Sequence, residues 1–120
     1  MGNKNSKIHL ETAQKTGACT LSNMNLEEKD VPEALFKIEK LRSLDISQNK
    51  IRIIPPELGK LANLKMLNLS GNRCTKIDQN LINNWTKLET LLASSLLLTS
   101  FPNFEKCKNL KKVNYSDLRG

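Results

Sequence analysis

Residues 41–64 read LRSLDISQNKIRIIPPELGKLANL, with apolar side chains at Leu41, Leu44, Ile46, Ile51, Ile54, Leu58, Leu61 and Leu64. Over its whole length that spacing fits neither an amphipathic helix nor the two-residue period of a strand. It fits the two in succession. Leu44-Asp45-Ile46-Ser47 alternates as a short strand, Asn49 marks a bend, and Pro55-Pro56-Glu57-Leu58-Gly59-Lys60-Leu61 carries helix-start and helix-stop chemistry. The asparagine at the bend has a physical role, because its amide supplies donors and an acceptor to backbone groups that turn inward there.

One such unit cannot bury its own apolar edge, so the reading requires neighbours that repeat it. Leu64 opens the next unit, with Leu67, Leu69, Asn72, Cys74, Ile77, Leu81 and Trp85, and Leu88 opens a third, with Leu91, Ala93, Leu96, Leu98, Phe101, Phe104 and Cys107 before Leu110. From Leu41 to Leu64, Leu88 and Leu110 the intervals are 23, 24 and 22 residues, inside the range of about 20–29 for leucine-rich repeats. The sequence therefore predicts an α/β leucine-rich repeat solenoid. Parallel strands line its concave face, short helices or 3-10 turns its convex face, and a short helix caps its N-terminal end.

Working outward, residues 41–120 hold three full repeats and one partial repeat, and residues 8–40 a cap and an atypical first repeat. Ile8–Lys15 reads as the capping helix, with Gly17 as its stop. Ala18–Ser22 mirrors Ser43–Ser47, Met24 stands where Asn49 does, and Pro32–Lys40 reads as a short helix opened by proline. Residues 1–7 read as a flexible segment. Within it Met1-Gly2-x-x-x-Ser6 matches the N-myristoylation signal, with Gly2 as the lipid acceptor. A single acyl chain holds a membrane only marginally, so anchoring needs a second attraction. The charge balance offers one: residues 1–40 carry six lysines against six acids, so the formal net charge of +7 lies on the repeats.

Composition excludes much else. No apolar run approaches the roughly 20 residues of a membrane span, and the polar start lacks the apolar core of a secretory signal, which predicts a cytoplasmic protein associated with membranes through a lipid anchor. Cys19, Cys74 and Cys107 are odd in number and fall at inward positions, as reduced core thiols do. His9 is the single histidine, and no nucleophile elbow, phosphate loop, C-x-x-C or H-x-x-x-H is present. The expectation is no enzyme, no cofactor and no metal.

Alternate strand residues of a solenoid point out of its concave face. The columns are Ala18, Ser43, Met66, Thr90, Lys112; then Thr20, Asp45, Asn68, Leu92, Asn114; then Ser22, Ser47, Ser70, Ser94, Ser116. The serines read as small spacers between curving strands. Asp45, Met66, Asn68 and Leu92, central and chemically varied, are the candidate partner-binding residues. The leading reading is a non-catalytic module holding a protein partner on these strands. Two alternatives stand beside it: binding of an anionic surface or RNA through Lys106, Lys108, Lys111 and Lys112, and a shortened relative without independent activity. Nucleic acid is disfavoured because stacking aromatics are not interleaved with those lysines. An open final strand predicts self-association through the C-terminal edge.

The form Ile54-Pro55-Pro56-Glu57-Leu58-Gly59-Lys60-Leu61 resembles intracellular leucine-rich repeat proteins of the Ras-suppressor and plant Ras-group kind. Met1-Gly2-Asn3 with Glu11-Thr12-Ala13-Gln14-Lys15-Thr16-Gly17 is similar to the start of a small, lipid-anchored branch of these proteins. The resemblance is strongest over residues 1–72, and it implies a myristoylated, membrane-associated adaptor without catalysis, lipidated at Gly2. The chain departs from those proteins in two places: they run through further repeats, and here Leu96 replaces the turn asparagine of the third.

Overall fold

A computed structural model describes residues 3–115, with side chains from Leu10 onward. Among these residues the chain coils through five short strands: β1 (Ala18–Thr20), β2 (Ser43–Asp45), β3 (Met66–Asn68), β4 (Thr90–Ala93) and β5 (Lys112–Tyr115). They form one parallel sheet in sequence order. Its register sets Ala18 beside Ser43, Met66, Thr90 and Lys112, and Thr20 beside Asp45, Asn68, Leu92 and Asn114. These are the first two columns that the repeat spacing predicts. Between them Cys19, Leu44, Leu67 and Leu91 point inward and are buried, each rung covering the next.

Two devices turn the chain after the strands. The first is a residue in the left-handed region at equivalent positions: Asn23, Gln48 and Ser95 at φ +56° and Gly71 at +74°. The second is the buried asparagine. Asn49 Oδ1 accepts from Met24 N (3.0 Å) and Leu26 N (2.9 Å), while its Nδ2 donates to the carbonyls of Leu21, Ile46 and Ser47 at 3.0 Å each. Asn72 repeats the arrangement with Ile51 N, Ile46 O and Leu69 O. The ladder stops there, because Leu96 is buried at the third position and offers no amide.

On the convex side, structure follows the length of the stretch that leads to the next opening leucine rather than that of the whole repeat. The 23-residue unit closes with a 3-10 turn, Pro56–Lys60, whereas the 24-residue unit fits one α-helix, α2 (Gln79–Asn84), whose Asp78 side chain accepts from Asn80 N at 2.9 Å. The 22-residue unit has neither. Pro32–Lys40, expected as a helix, is instead a 3-10 turn over Glu33–Lys37, because the convex stretch from Val31 to Leu41 is as long as that from Ile54 to Leu64, which also winds as a 3-10 turn. An extra 3-10 turn, Glu28–Asp30, takes up the two-residue insertion of this repeat. Trp85 is fully buried between convex elements and donates from Nε1 to Leu58 O at 3.0 Å.

At the N-terminal end, the capping helix α1 spans Asn3–Thr16, starting ahead of Ile8 and inside the segment expected to be flexible. No glycine or proline interrupts residues 3–8, so nothing local stops the helix there. It ends as predicted: Gly17 adopts φ +79° and donates to Ala13 O at 2.8 Å. Ala13 is buried against the first rung. At the other end of the sheet Phe101, expected at an inward repeat position, is exposed, as is Tyr115, and their ring centroids lie 4.0 Å apart with the rings tilted by 45°. Tyr115 lies on β5, the last described strand, where described residues cover the sheet from one side alone.

Candidate partner-binding surface

The concave face is built from the outward residues of strands only three or four residues long. Asp45, Met66, Asn68 and Leu92 all lie there, half-buried on adjacent rungs: Asp45, Asn68 and Leu92 share one column, and Met66 stands beside them between Ser43 and Thr90. Their polar groups are partly engaged. Asp45 Oδ1 accepts from the amide of Ser47 at 2.9 Å and from its hydroxyl, and Asn68 Oδ1 accepts from Ser70 N at 3.0 Å. Ser94 N donates to Ser70 Oγ at 3.0 Å. The serine column therefore closes the turns after the strands, with Ser116 lying outside the described residues. Turned outward are the Met66 thioether, the Leu92 side chain, the second oxygen of Asp45 and the amide nitrogen of Asn68. Such a surface suits an apolar contact ringed by a few directional hydrogen bonds.

A neighbouring wall was not foreseen from the sequence. Thr12 and Thr16 of α1 stand over Thr20, Asp45 and Met66 and close one side of a cleft of about 360 Å3. The two threonines are one helical turn apart, which places them on the same helix face. The glycine stop then swings that face beside β1. Thr16 is internally engaged, its hydroxyl donating to Thr12 O at 2.9 Å and accepting from Ala18 N at 3.1 Å.

Among the described residues the groups whose acidity is shifted are three cysteines and one glutamate. Burial pushes the Cys19 thiol up to about 11 and, with a smaller contribution from the Glu28 charge, the Cys74 thiol up to about 12; burial also raises Cys107. All three are free and buried, and Cys74 Sγ lies 3.3 Å from Ile51 O. The thiolate is the reactive form of cysteine, and burial disfavours it at all three positions. Glu28 is held below the usual carboxylate range, first by the Arg52 backbone N–H at 3.0 Å, in a clamp joining the first two repeats. Among the described residues no group of His, Cys, Asp and Glu is arranged to hold a metal, and no helix is long and apolar enough to cross a membrane. Lys106, Lys108, Lys111 and Lys112 are all exposed, with Lys111 4.0 Å from Glu89. Gly2, the candidate lipid acceptor, lies outside the described residues.

Comparison with known proteins agrees with this architecture. A family model described as leucine rich repeat matches residues 21–73 and 39–98. The chain is 41% identical over 58 residues to the protein flightless-1 homolog of Caenorhabditis elegans, covering 48% of the chain and 5% of that protein. It is 38% identical over 69 residues to plant intracellular Ras-group-related LRR protein 7 of Oryza sativa subsp. japonica, covering 57% and 26%. An uncharacterized leucine-rich repeat-containing protein of Schizosaccharomyces pombe is 33% identical over 90 residues, covering 74% and 14%. The chain thus spans between 5% and 26% of the length of these three relatives. Among solved structures, an LRR protein of Leptospira interrogans superposes with a TM-score of 0.70 at 20% identity, over 92% of this chain and 36% of that one. That likeness concerns the fold alone.

Proposed function

The chain belongs to the leucine-rich repeat family, and from that premise we propose that it is a non-catalytic module that holds a protein partner on its concave strands. Proteins of this fold generally serve as interaction scaffolds rather than enzymes. The observation that carries the reading to particular residues is the sheet register, which gathers Asp45, Met66, Asn68 and Leu92 on one half-exposed patch. Half-exposed Met and Leu side chains beside a carboxylate and an amide make the mixed surface on which protein segments dock. Photo-crosslinking from position 68, compared with position 60 on the convex side, tests it. A protein captured from position 68 alone, and lost in Met66→Glu and Leu92→Glu variants, supports the reading; capture that ignores both variants removes it.

The second part of the proposal is a lipid tether. The N-terminal pattern Met1-Gly2-x-x-x-Ser6 supports myristoylation of Gly2, which would set the solenoid on a cytoplasm-facing membrane where its partner is met. Intact mass and membrane fractionation of the chain made in eukaryotic cells, beside Gly2→Ala, decide this. The expected result is a myristoylated chain that sediments with membranes and a variant that stays soluble. An unmodified, soluble native chain ends the tether and leaves the concave-face reading standing.

A further inference from the structure

We propose a second docking surface, for an acidic peptide segment, on the edge of the solenoid where the strands begin. Lys40, Arg42, Lys65 and Lys87 line a groove there of about 300 Å3 with Asn63 among them. The coil itself brings them together. Lys40, Asn63 and Lys87 precede the opening leucines of successive repeats, and Arg42 and Lys65 directly precede β2 and β3.

Backbone bonds fix these rungs in place. Arg42 O accepts from Lys65 N (2.7 Å) and Met66 N (3.0 Å), and Lys65 O accepts from Glu89 N (2.8 Å) and Thr90 N (2.9 Å). Two of the cationic heads are also held. Lys87 Nζ donates to Asn63 Oδ1 at 2.8 Å, Asn63 Nδ2 donates to Glu39 O at 2.7 Å, and Arg42 Nη2 donates to Thr16 O at 3.1 Å. All of these acceptors are neutral. Among the described residues the ion pairs join Arg52 to Glu27 and Glu28 and Lys111 to Glu89, so none of the four cations has a carboxylate partner. Like charges gathered in one groove repel, and neutral acceptors offset that repulsion only in part. An external anion would supply the carboxylate complement that these four cations lack among the described residues.

The chemistry favours a peptide. Adjacent strands lie about 4.8 Å apart, so equivalent cations two repeats apart are separated by about 10 Å, while an extended peptide presents same-face carboxylates about every 7 Å. A run of acidic residues therefore meets several of these cations at once. No aromatic ring lines the groove, so nucleic-acid bases lack a stacking platform. The inference is independent of the concave patch and of Gly2.

The test titrates the full-length chain with a labelled oligoglutamate peptide, in parallel with a single-stranded oligonucleotide and with phosphatidylserine vesicles. The peptide is expected to saturate, and K40E/K65E/K87E to weaken it by about tenfold or more. K50E/R73E/K76E makes the same charge change at the opposite edge and is expected to leave affinity within about twofold. The neutral set K40Q/K65Q/K87Q, expected to lose several-fold with unchanged thermal unfolding, decides the matter if the reversed set does not fold. Equal losses from both edges reduce the effect to net charge and overturn the proposal. So does tighter binding of oligonucleotide or vesicles through the same three lysines.

Discussion

Asn49 shows how much a single amide carries in this fold. Its side chain makes five hydrogen bonds to backbone groups of two rungs, whereas Asn72 makes three. A buried backbone group left without a partner costs about 1–3 kcal/mol. Asn49→Ala is therefore expected to lower unfolding free energy by about 2–4 kcal/mol, and Asn72→Ala by less, in paired urea titrations. The reverse order would show that the ladder does not bear the load assigned to it. The thiols give a second prediction at this scale. A Cys74 held near 12 and a Cys19 held near 11 carry, at pH 8, a thiolate fraction of about one in a thousand or less. Iodoacetamide should leave the native protein unlabelled and modify all three cysteines in guanidinium. Because folding raises these values above the ordinary 9.0, their contribution to stability is full below about pH 9 and falls as pH rises towards 11. Both asparagines and all three thiols were legible in the sequence, the asparagines because they recur at one place in the repeat and the thiols because each stands where another repeat has an inward apolar residue. The internal engagement of Asp45 and Asn68 was not, because it depends on the turn two residues later folding back on the strand.

Elements in this chain are set by the length of connection more than by helix propensity. Pro32–Lys40 reads as a helix on local grounds yet forms a 3-10 turn, and only the repeat with 24 residues winds α2. Local reading misjudged the type because the two ends of each connection are pinned by strands, a constraint that no window of ten residues contains. Trp85 ties these convex elements together through its bond to Leu58 O. Trp85→Phe keeps most of the apolar volume but leaves that carbonyl without its donor, an expected loss of about 1–3 kcal/mol by denaturant unfolding. A change below the error of the titration would mean that the carbonyl finds another partner. The cap ends on a comparable constraint. At φ +79° Gly17 sits where a side chain is strained, and an added Cβ would meet Lys40 O at 3.1 Å. Gly17→Ala should cost about 1–2 kcal/mol and loosen α1 from β1, read as faster amide exchange in the helix.

For the molecule as a whole, stability is a sum of rungs and the contacts between neighbours. The basic groove belongs to this scale, and that is why the sequence concealed it. Positions 40, 42, 65 and 87 become neighbours only once the register is known, and a charge count along the chain draws the eye to the lysines near residue 110 instead. The same additive logic grades the strands. Leu44, Leu67 and Leu91 are buried between rungs on both sides, and β1 is covered by α1, whereas in β5 Val113 is half-buried and the other three residues are exposed. Local opening needs less energy where fewer buried contacts are broken. Amides of β5 should therefore exchange about tenfold or more faster than those of β2 and β3, with β4 between them, in hydrogen-exchange mass spectrometry at neutral pH. Leu44→Ala should then raise exchange on both flanking rungs, and Val113→Ala in β5 and β4 alone. Uniform protection from β1 to β5 would instead make the described residues one cooperative block, and the nearest-neighbour account would give way to a single transition.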